Sequence, residues 1–151
     1  MEKRIYLSTP TMHGEEMKYV QEAFDKNWIA PLGFNCDNFE IEMNNYLSQG
    51  LDREYCTLAL CSGTSALHLA LKLAGVKRDD VVLCSDMTFS ATVNPISYEG
   101  GIQVFIDSER ESWNMDPVAL EKAFEKYPQA KVVMLVHLYG TPAKLTEIKE
   151  I

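Results

Sequence analysis

Apolar positions recur at helical spacing through the first third of the chain, then give way to short unbroken apolar runs. Met17, Val20, Ala23 and Phe24 predict a helix over residues 15–26, with Gly14 ending the loop before it. "NWIAPLGFN" (27–35) breaks the pattern with Pro31 and Gly33 and reads as a loop. Asp37 or Asn38 is then placed to cap a second helix, with Phe39, Ile41, Met43 and Leu47 inward and Gly50 past its end. "EYCTLAL" (54–60) reads as a strand, and residues 64–73 as a helix that is apolar nearly all round. Only His68 and Lys72, four apart, give that helix a polar edge, so it is expected to be buried on more than one side.

The second half alternates. "VVLCS" (81–85), "IQVFID" (102–107) and "KVVMLVHLYG" (131–140) read as strands. Between them lie helical stretches at 90–98, where Pro95 predicts a kink or an early end, and at 118–126, where Asp116 caps and Pro117 takes the first helical position. Gly100-Gly101 closes the first of these, and residues 144–151 begin another helix. Strand–helix alternation at this spacing argues for an α/β fold with a parallel sheet and helices on its faces. No repeat, low-complexity tract or linker interrupts it. The last stretch, "LTEIKEI", has no terminating glycine or proline, which suggests a fragment.

Composition narrows the function classes. The 151 residues suffice for one domain with a real core, and 46% hydrophobic with 24% charged residues is ordinary for a globular protein. No apolar run is long enough to span a membrane, and the start, "MEKRIYLSTP", lacks a signal peptide's apolar stretch; a cytoplasmic location is expected. A net charge of −8 argues against nucleic-acid binding, which draws on a basic surface. Cys36, Cys56, Cys61 and Cys84 form no CxxC pair and read as reduced, small apolar residues, and the scattered His13, His68 and His137 make no zinc site.

Candidate chemistry gathers at the carboxyl ends of the strands, where open parallel sheets hold their ligands. The turn Ser62-Gly63-Thr64-Ser65 opens a helix. The first amides of a helix have no internal acceptor and carry the positive end of its dipole, so this turn can hold an anion; equally, Ser62 or Thr64 can simply cap the helix. It is neither a P-loop, for want of GK[ST], nor GxGxxG, having one glycine. Thr88-Phe89-Ser90 follows the next strand, and a ring there can stack on a flat heteroaromatic ligand or belong to the core. His137 and Tyr139 follow a third strand at the same edge.

These stretches together resemble the N-terminal part of the DegT/DnrJ-type sugar aminotransferases, fold-type-I enzymes that use pyridoxal 5′-phosphate. "GTSALHLAL" (63–71) is similar to the family's phosphate-binding turn and helix, "MTFSATVNPI" (87–96) to its cofactor-stacking segment, and "VHLYGTPAKLTEI" (136–148) to the strand–loop–helix after it. Residues 7–40, "LSTPTMHGEEMKYVQEAFDKNWIAPLGFNCDNFE", resemble its entry helix, tryptophan-to-glycine loop and next helix. The resemblance implies a three-layer αβα large domain with a mainly parallel sheet, incomplete here. It implies pyridoxal phosphate bound through Gly63, Thr64 and Ser65, with Phe89 stacked on its ring and Thr92 near cofactor or substrate. Trp28 and Gly33 would border the sugar-nucleotide site, and the chain would form a homodimer that covers the apolar helix at 64–73.

Three local features depart from the family: Arg78-Asp79-Asp80 where Gly-Asp-Glu is usual, Lys144 where an acidic residue is common, and Pro95 in place of a helix former. The aspartate that pairs with the pyridinium and the lysine that holds the cofactor match no position of residues 1–151, so no catalytic residue is assigned. The activity implied is transfer of an amino group from an amino acid, often glutamate, to a nucleotide-linked keto sugar. The alternatives are the sugar dehydratases of the same family, which carry histidine for lysine, and a non-catalytic phosphate-binding or dimerisation module.

Overall fold

A computed structural model describes residues 4–6, 9–52 and 55–151. Leu7 and Ser8, at the head of the entry segment, and Glu54, at the head of the first expected strand, lie outside the described residues. The chain divides into two compact units, Met1–Ala59 and Leu60–Ile151.

The first unit carries α1 (Glu16–Asp25) and α2 (Phe34–Ser48). The second helix begins earlier than Asp37 or Asn38 would place it. Gly33 is its N-cap, at φ 140° and with no side-chain cap. Asp37 falls inside the first turn, and the Cys36 and Asp37 amides both donate to the Gly33 carbonyl, at 2.9 and 3.0 Å. Gly50 follows the end of α2 at φ 73°, as expected. The apolar stripes expected inward are not buried: Met17, Val20, Phe24, Phe39, Ile41 and Leu47 are exposed, and neither helix contains a buried residue.

Residues 55–60 are not a strand. The Tyr55, Thr57 and Ala59 amides donate to Ser48 Oγ (3.4 Å), Asn44 Oδ1 (2.6 Å) and Glu40 Oε1 (2.7 Å). Two residues of extended chain advance about 6.6 Å and one helical turn about 5.4 Å, so every second amide meets a side chain one turn further back along α2. The expected strand is therefore an extended segment whose partners are helix side chains in place of a neighbouring strand.

The second unit is an α/β layer structure. It runs α3 (Gly63–Leu73), β1 (Val81–Ser85), α4 (Ser90–Tyr98), β2 (Ile102–Ile106), α5 (Pro117–Lys126), β3 (Val132–Met134), a 3₁₀ turn (Leu138–Gly140) and α6 (Leu145–Glu150). The three strands form a parallel sheet in the order β2-β1-β3, with Val82 opposite both Gln103 and Val132. β1 is central and wholly buried, which is why it reads as an unbroken apolar run. The last expected strand is shortened: after Met134 the backbone leaves the sheet, and Tyr139 adopts a left-handed conformation at φ 51°.

Alternation along β1 divides the core in two. Val82 and Cys84 join Leu71, Val76, Val93, Ile96 and Met134 beneath α3 and α4. Val81 and Leu83 join Ile106, Met115, Leu120, Ala123 and Ala130 on the α5 side. This is the three-layer arrangement expected from the sequence. α3, however, is covered on one side only: Leu71 is buried, while Ala66, Ala70 and Leu73 are exposed. Pro95 neither ends nor shortens α4, which continues to Tyr98 with Pro95 fully buried. Asp116 caps α5 as expected, its carboxylate accepting from the Val118 amide at 2.9 Å.

Candidate cofactor site

The relative direction of α3 and α4 decides where their first turns lie. Near the far ends of both, Glu99 accepts from Lys72 Nζ at 2.8 Å and pairs with His68 Nε2. The His68 ring meets Tyr98 edge-on at 5.6 Å. The two helices are thus side by side and parallel. α4 starts where β1 ends, so both first turns stand at the carboxyl edge of the sheet. α4 is the helix beside β2, since Gln103 Nε2 donates to Val93 O (2.7 Å) and Ser97 Oγ (2.9 Å). With the order β2-β1-β3, α3 lies toward β3.

Ser62 is the N-cap of α3, its hydroxyl accepting from the Ser65 amide at 3.2 Å. The capping role and the anion-binding role share the turn rather than exclude each other. The Ser65 amide is occupied by the cap. The Gly63 and Thr64 amides have no acceptor among the described residues. Apart from its chain neighbours and the backbone of α3 itself, no atom of the described residues stands within 4 Å of the place a Gly63 side chain would take, so the main chain is open to close approach. The Ser65 hydroxyl lies 3.0 Å from Ser62 Oγ and 3.4 Å from Cys61 Sγ.

At the head of α4, Phe89 is the N-cap and 79% exposed, which removes the core reading of this ring. Thr92 is buried one turn in, and Thr88 Oγ1 donates to its hydroxyl at 2.8 Å. Gly63, Thr64, Ser65, Phe89 and Thr92 therefore occupy the first turns of two adjacent helices. An open pair of amides, clustered hydroxyls and a free aromatic ring form a donor set that fits the phosphate ester of a planar heterocycle.

Trp28 and Gly33 belong to the first unit and are in direct contact there. A Cβ at residue 33 would stand 1.7 Å from Trp28 Nε1, so the indole occupies the space a side chain would need. Trp28 is half exposed, and with Ile29, Leu32, Phe34 and Cys36 it borders a cavity of about 230 Å³.

Two features escaped the sequence reading. Cys61 is exposed rather than a small core residue, as is Cys56; only Cys84 fits that description fully. Hydrogen bonds to Ser65 and then Ser62 hold the Cys61 thiol below its ordinary range, whereas burial pushes Cys84 up to about 11. Adjacent small residues were the only available signal. Second, a cavity of about 740 Å³ opens past the ends of β1 and β2, bordered by Asp86, Asp107, Glu109, Arg110, Trp113 and Asp116. Its carboxylates outnumber its one guanidinium, so an anion is favoured at the α3 turn and not there.

A parallel α/β sheet with open helix-start amides and a free ring at its carboxyl edge is the architecture of the fold-type-I pyridoxal phosphate enzymes. The chain belongs to the DegT/DnrJ/EryC1/StrS aminotransferase family, whose profile matches residues 10–151. It is 47% identical over 152 aligned positions to EpsN of Bacillus subtilis (strain 168), named as a candidate pyridoxal phosphate-dependent aminotransferase; the match covers 98% of this chain and 38% of EpsN. It is 36% identical to the GDP-perosamine synthase of Escherichia coli O157:H7, covering 99% of this chain and 39% of that one. Among solved structures, the pyridoxal phosphate form of the candidate sugar aminotransferase Spr1654 from Streptococcus pneumoniae superimposes with a TM-score of 0.82 at 26% identity, over 98% of this chain and 36% of that one. The chain thus spans a little under two fifths of the length of the relatives it matches.

Proposed function

We propose that residues 1–151 are the N-terminal, cofactor-positioning part of the large domain of a pyridoxal phosphate-dependent aminotransferase that moves an amino group from an amino acid, often glutamate, to a nucleotide-linked keto sugar. One observation carries the reading: the open Gly63 and Thr64 amides stand at the same sheet edge as the exposed Phe89 ring. The family membership and the sugar-amine names of the relatives support it.

In this reading the Gly63 and Thr64 amides and the Ser65 hydroxyl hold the phosphate. The Ser65 amide joins them only by releasing Ser62 Oγ. A charge at such a helix start gains about 0.3–1 kcal/mol, up to ~2 when partly buried, and several amides acting together give more. Phe89 covers the ring, and Thr92, bonded to Thr88, lies near the cofactor or substrate. Pyridoxal phosphate, when bound, supplies an electron sink; these residues fix its orientation and keep its phosphate end immobile. Trp28 and Gly33 border the sugar nucleotide. A homodimer would cover the exposed Ala66, Ala70 and Leu73 of α3, and the protein would work in the cytoplasm.

The test is titration of the full-length enzyme, of which residues 1–151 are the proposed N-terminal part and which is the full chain of the experiments below, with pyridoxal phosphate, followed by visible absorbance, then addition of glutamate. A saturable cofactor band that converts to its amine form on adding glutamate supports the reading; absence of any saturable band overturns it. Residues 1–151 alone are expected to bind the cofactor weakly and to show no steady turnover.

A further inference from the structure

Asn114 is a buried polar residue outside the proposed cradle. It is 2% exposed, follows the carboxyl end of β2, and spends its side chain on three separate partners. Its Oδ1 accepts from the Leu138 amide at 2.8 Å. Its Nδ2 donates to the Thr141 carbonyl and to Ser112 Oγ, each at 3.0 Å. Leu138 and Thr141 bracket the 3₁₀ turn after β3, in which Tyr139 is held left-handed. A non-glycine residue in that region persists only where its surroundings over-determine it. The Asn114 amide grips the turn at both ends and so supplies that determination.

The turn also fixes His137, three residues past the end of β3. The Ala143 amide donates to His137 Nδ1 at 3.1 Å. A nitrogen that accepts a hydrogen bond carries no proton, so the neutral ring has its N–H at Nε2. Among the described residues Nε2 has no partner, and the residue is exposed. β3 is the strand on the α3 side of the sheet, and its carboxyl end is the edge at which the phosphate cradle stands.

We infer that Asn114 is a positioning residue: by clamping the 137–141 loop it holds the His137 Nε2–H as a fixed donor to an anionic oxygen of the ligand at the strand ends. The inference rests on the cofactor reading above, so pyridoxal phosphate is the ligand concerned. A buried, fully bonded amide places the donor before binding, and preorganisation of that kind lowers the ordering cost of association.

The experiment uses the full chain and long-range ¹H–¹⁵N spectra of the imidazoles, with His137 assigned from a His137→Ala variant. The unsubstituted protein should show the Nε2–H tautomer at His137, and saturation with pyridoxal phosphate should shift that nitrogen. Asn114→Ala should give a mixed tautomer and raise the cofactor Kd about tenfold, the scale of one well-placed hydrogen bond. Leu120→Val, which thins the core without touching the loop, should lower Tm and change neither. His137→Ala should raise Kd by a similar factor, with Tm falling only by the loss of the Ala143 amide's acceptor, so the idea stays testable even where Asn114→Ala does not fold. The inference is overturned by normal cofactor binding with an unmoved His137 nitrogen, by an Asn114→Ala protein that matches Leu120→Val, or by a His137→Ala protein of unchanged Kd. Failure of the unsubstituted protein to bind pyridoxal phosphate removes the cofactor reading itself, and this ligand role with it.

Discussion

Gly33 leaves no room for a side chain. Its φ of 140° belongs to the region that L residues avoid, and the Trp28 indole fills the space where a Cβ would project. Gly33→Ala is therefore expected to cost about 1–3 kcal/mol, the usual penalty for overpacking. It should also shift Trp28 fluorescence; the chain has two tryptophans, and the other, Trp113, lies in the second unit. An unchanged spectrum and Tm would show that the indole simply swings away. Glu109 makes a different kind of prediction. Hydrogen bonds from the Ser112 hydroxyl and from the Glu111 and Ser112 amides, with Lys144 nearby, hold its carboxyl down to about 2. A carboxyl whose folded value lies below the ordinary glutamate value of about 4.3 stabilises the fold above that value, and the contribution is lost as pH falls from there through 2. Glu109→Gln should thus be less stable than the unsubstituted protein at pH 7, with the gap closing between about pH 4.3 and 2; a gap that stays constant across a denaturation series in pH would refute this. The sequence showed Gly33 as a turn residue because glycine has a backbone signature. It showed nothing of Glu109, whose partners within three positions are ordinary surface residue types.

At the scale of elements, what survived from the sequence was local conformation, and what failed was partnership. Residues 54–60 read as an apolar strand, yet the described amides of Tyr55, Thr57 and Ala59 go to side chains of α2. A short apolar run reports that a segment is extended and not what lies beside it. Asn44→Ala should therefore speed hydrogen exchange at Thr57 and cost about 0.5–1.5 kcal/mol, the net worth of one such bond. Exchange unchanged at Thr57 would mean the amide has another acceptor. The start of α2 was misplaced for a related reason: Asp37 and Asn38 are good caps, but Gly33 already turns the chain, so the helix begins before they are reached. Pro95 predicts a kink or an early end in α4, and the helix does not end there. The proline ring is instead fully buried beside Ile96 in the helix, and burial in the layer beneath α3 and α4 outweighs the lost hydrogen bond. The polar edge of α3, His68 and Lys72, was legible as a pair; that both reach Glu99 of α4 required the tertiary structure.

The whole second unit separates support from contact. β1 lies between two apolar layers, and the groups proposed to meet the ligand all stand beyond the strands' carboxyl ends, on helix starts and loops. That separation was legible for the ring at 89, which follows β1 in a parallel sheet that places its βα turns at one edge; the motif at 62–65 follows no strand, and its place at that edge comes from α3 lying parallel to α4. The outward face of α3 was not legible, since apolar residues all round a helix do not say which side the chain itself will cover. The arrangement predicts two classes of variant that do not mix. Phe89→Ala removes an exposed ring and should leave Tm within about a degree or two, surface changes being worth less than about 0.5 kcal/mol. It should nonetheless weaken pyridoxal phosphate binding in the full chain several-fold, the scale of one lost stacking contact of about 0.5–1.5 kcal/mol. Leu83→Ala, in the fully buried strand, should do the reverse, costing about 2–5 kcal/mol of stability while the protein that remains folded binds with unchanged Kd. Thermal melts paired with absorbance titrations measure both quantities on each variant. A Phe89→Ala protein that melts early but binds normally would place that ring in the core after all, and the cradle would lose its stacking partner.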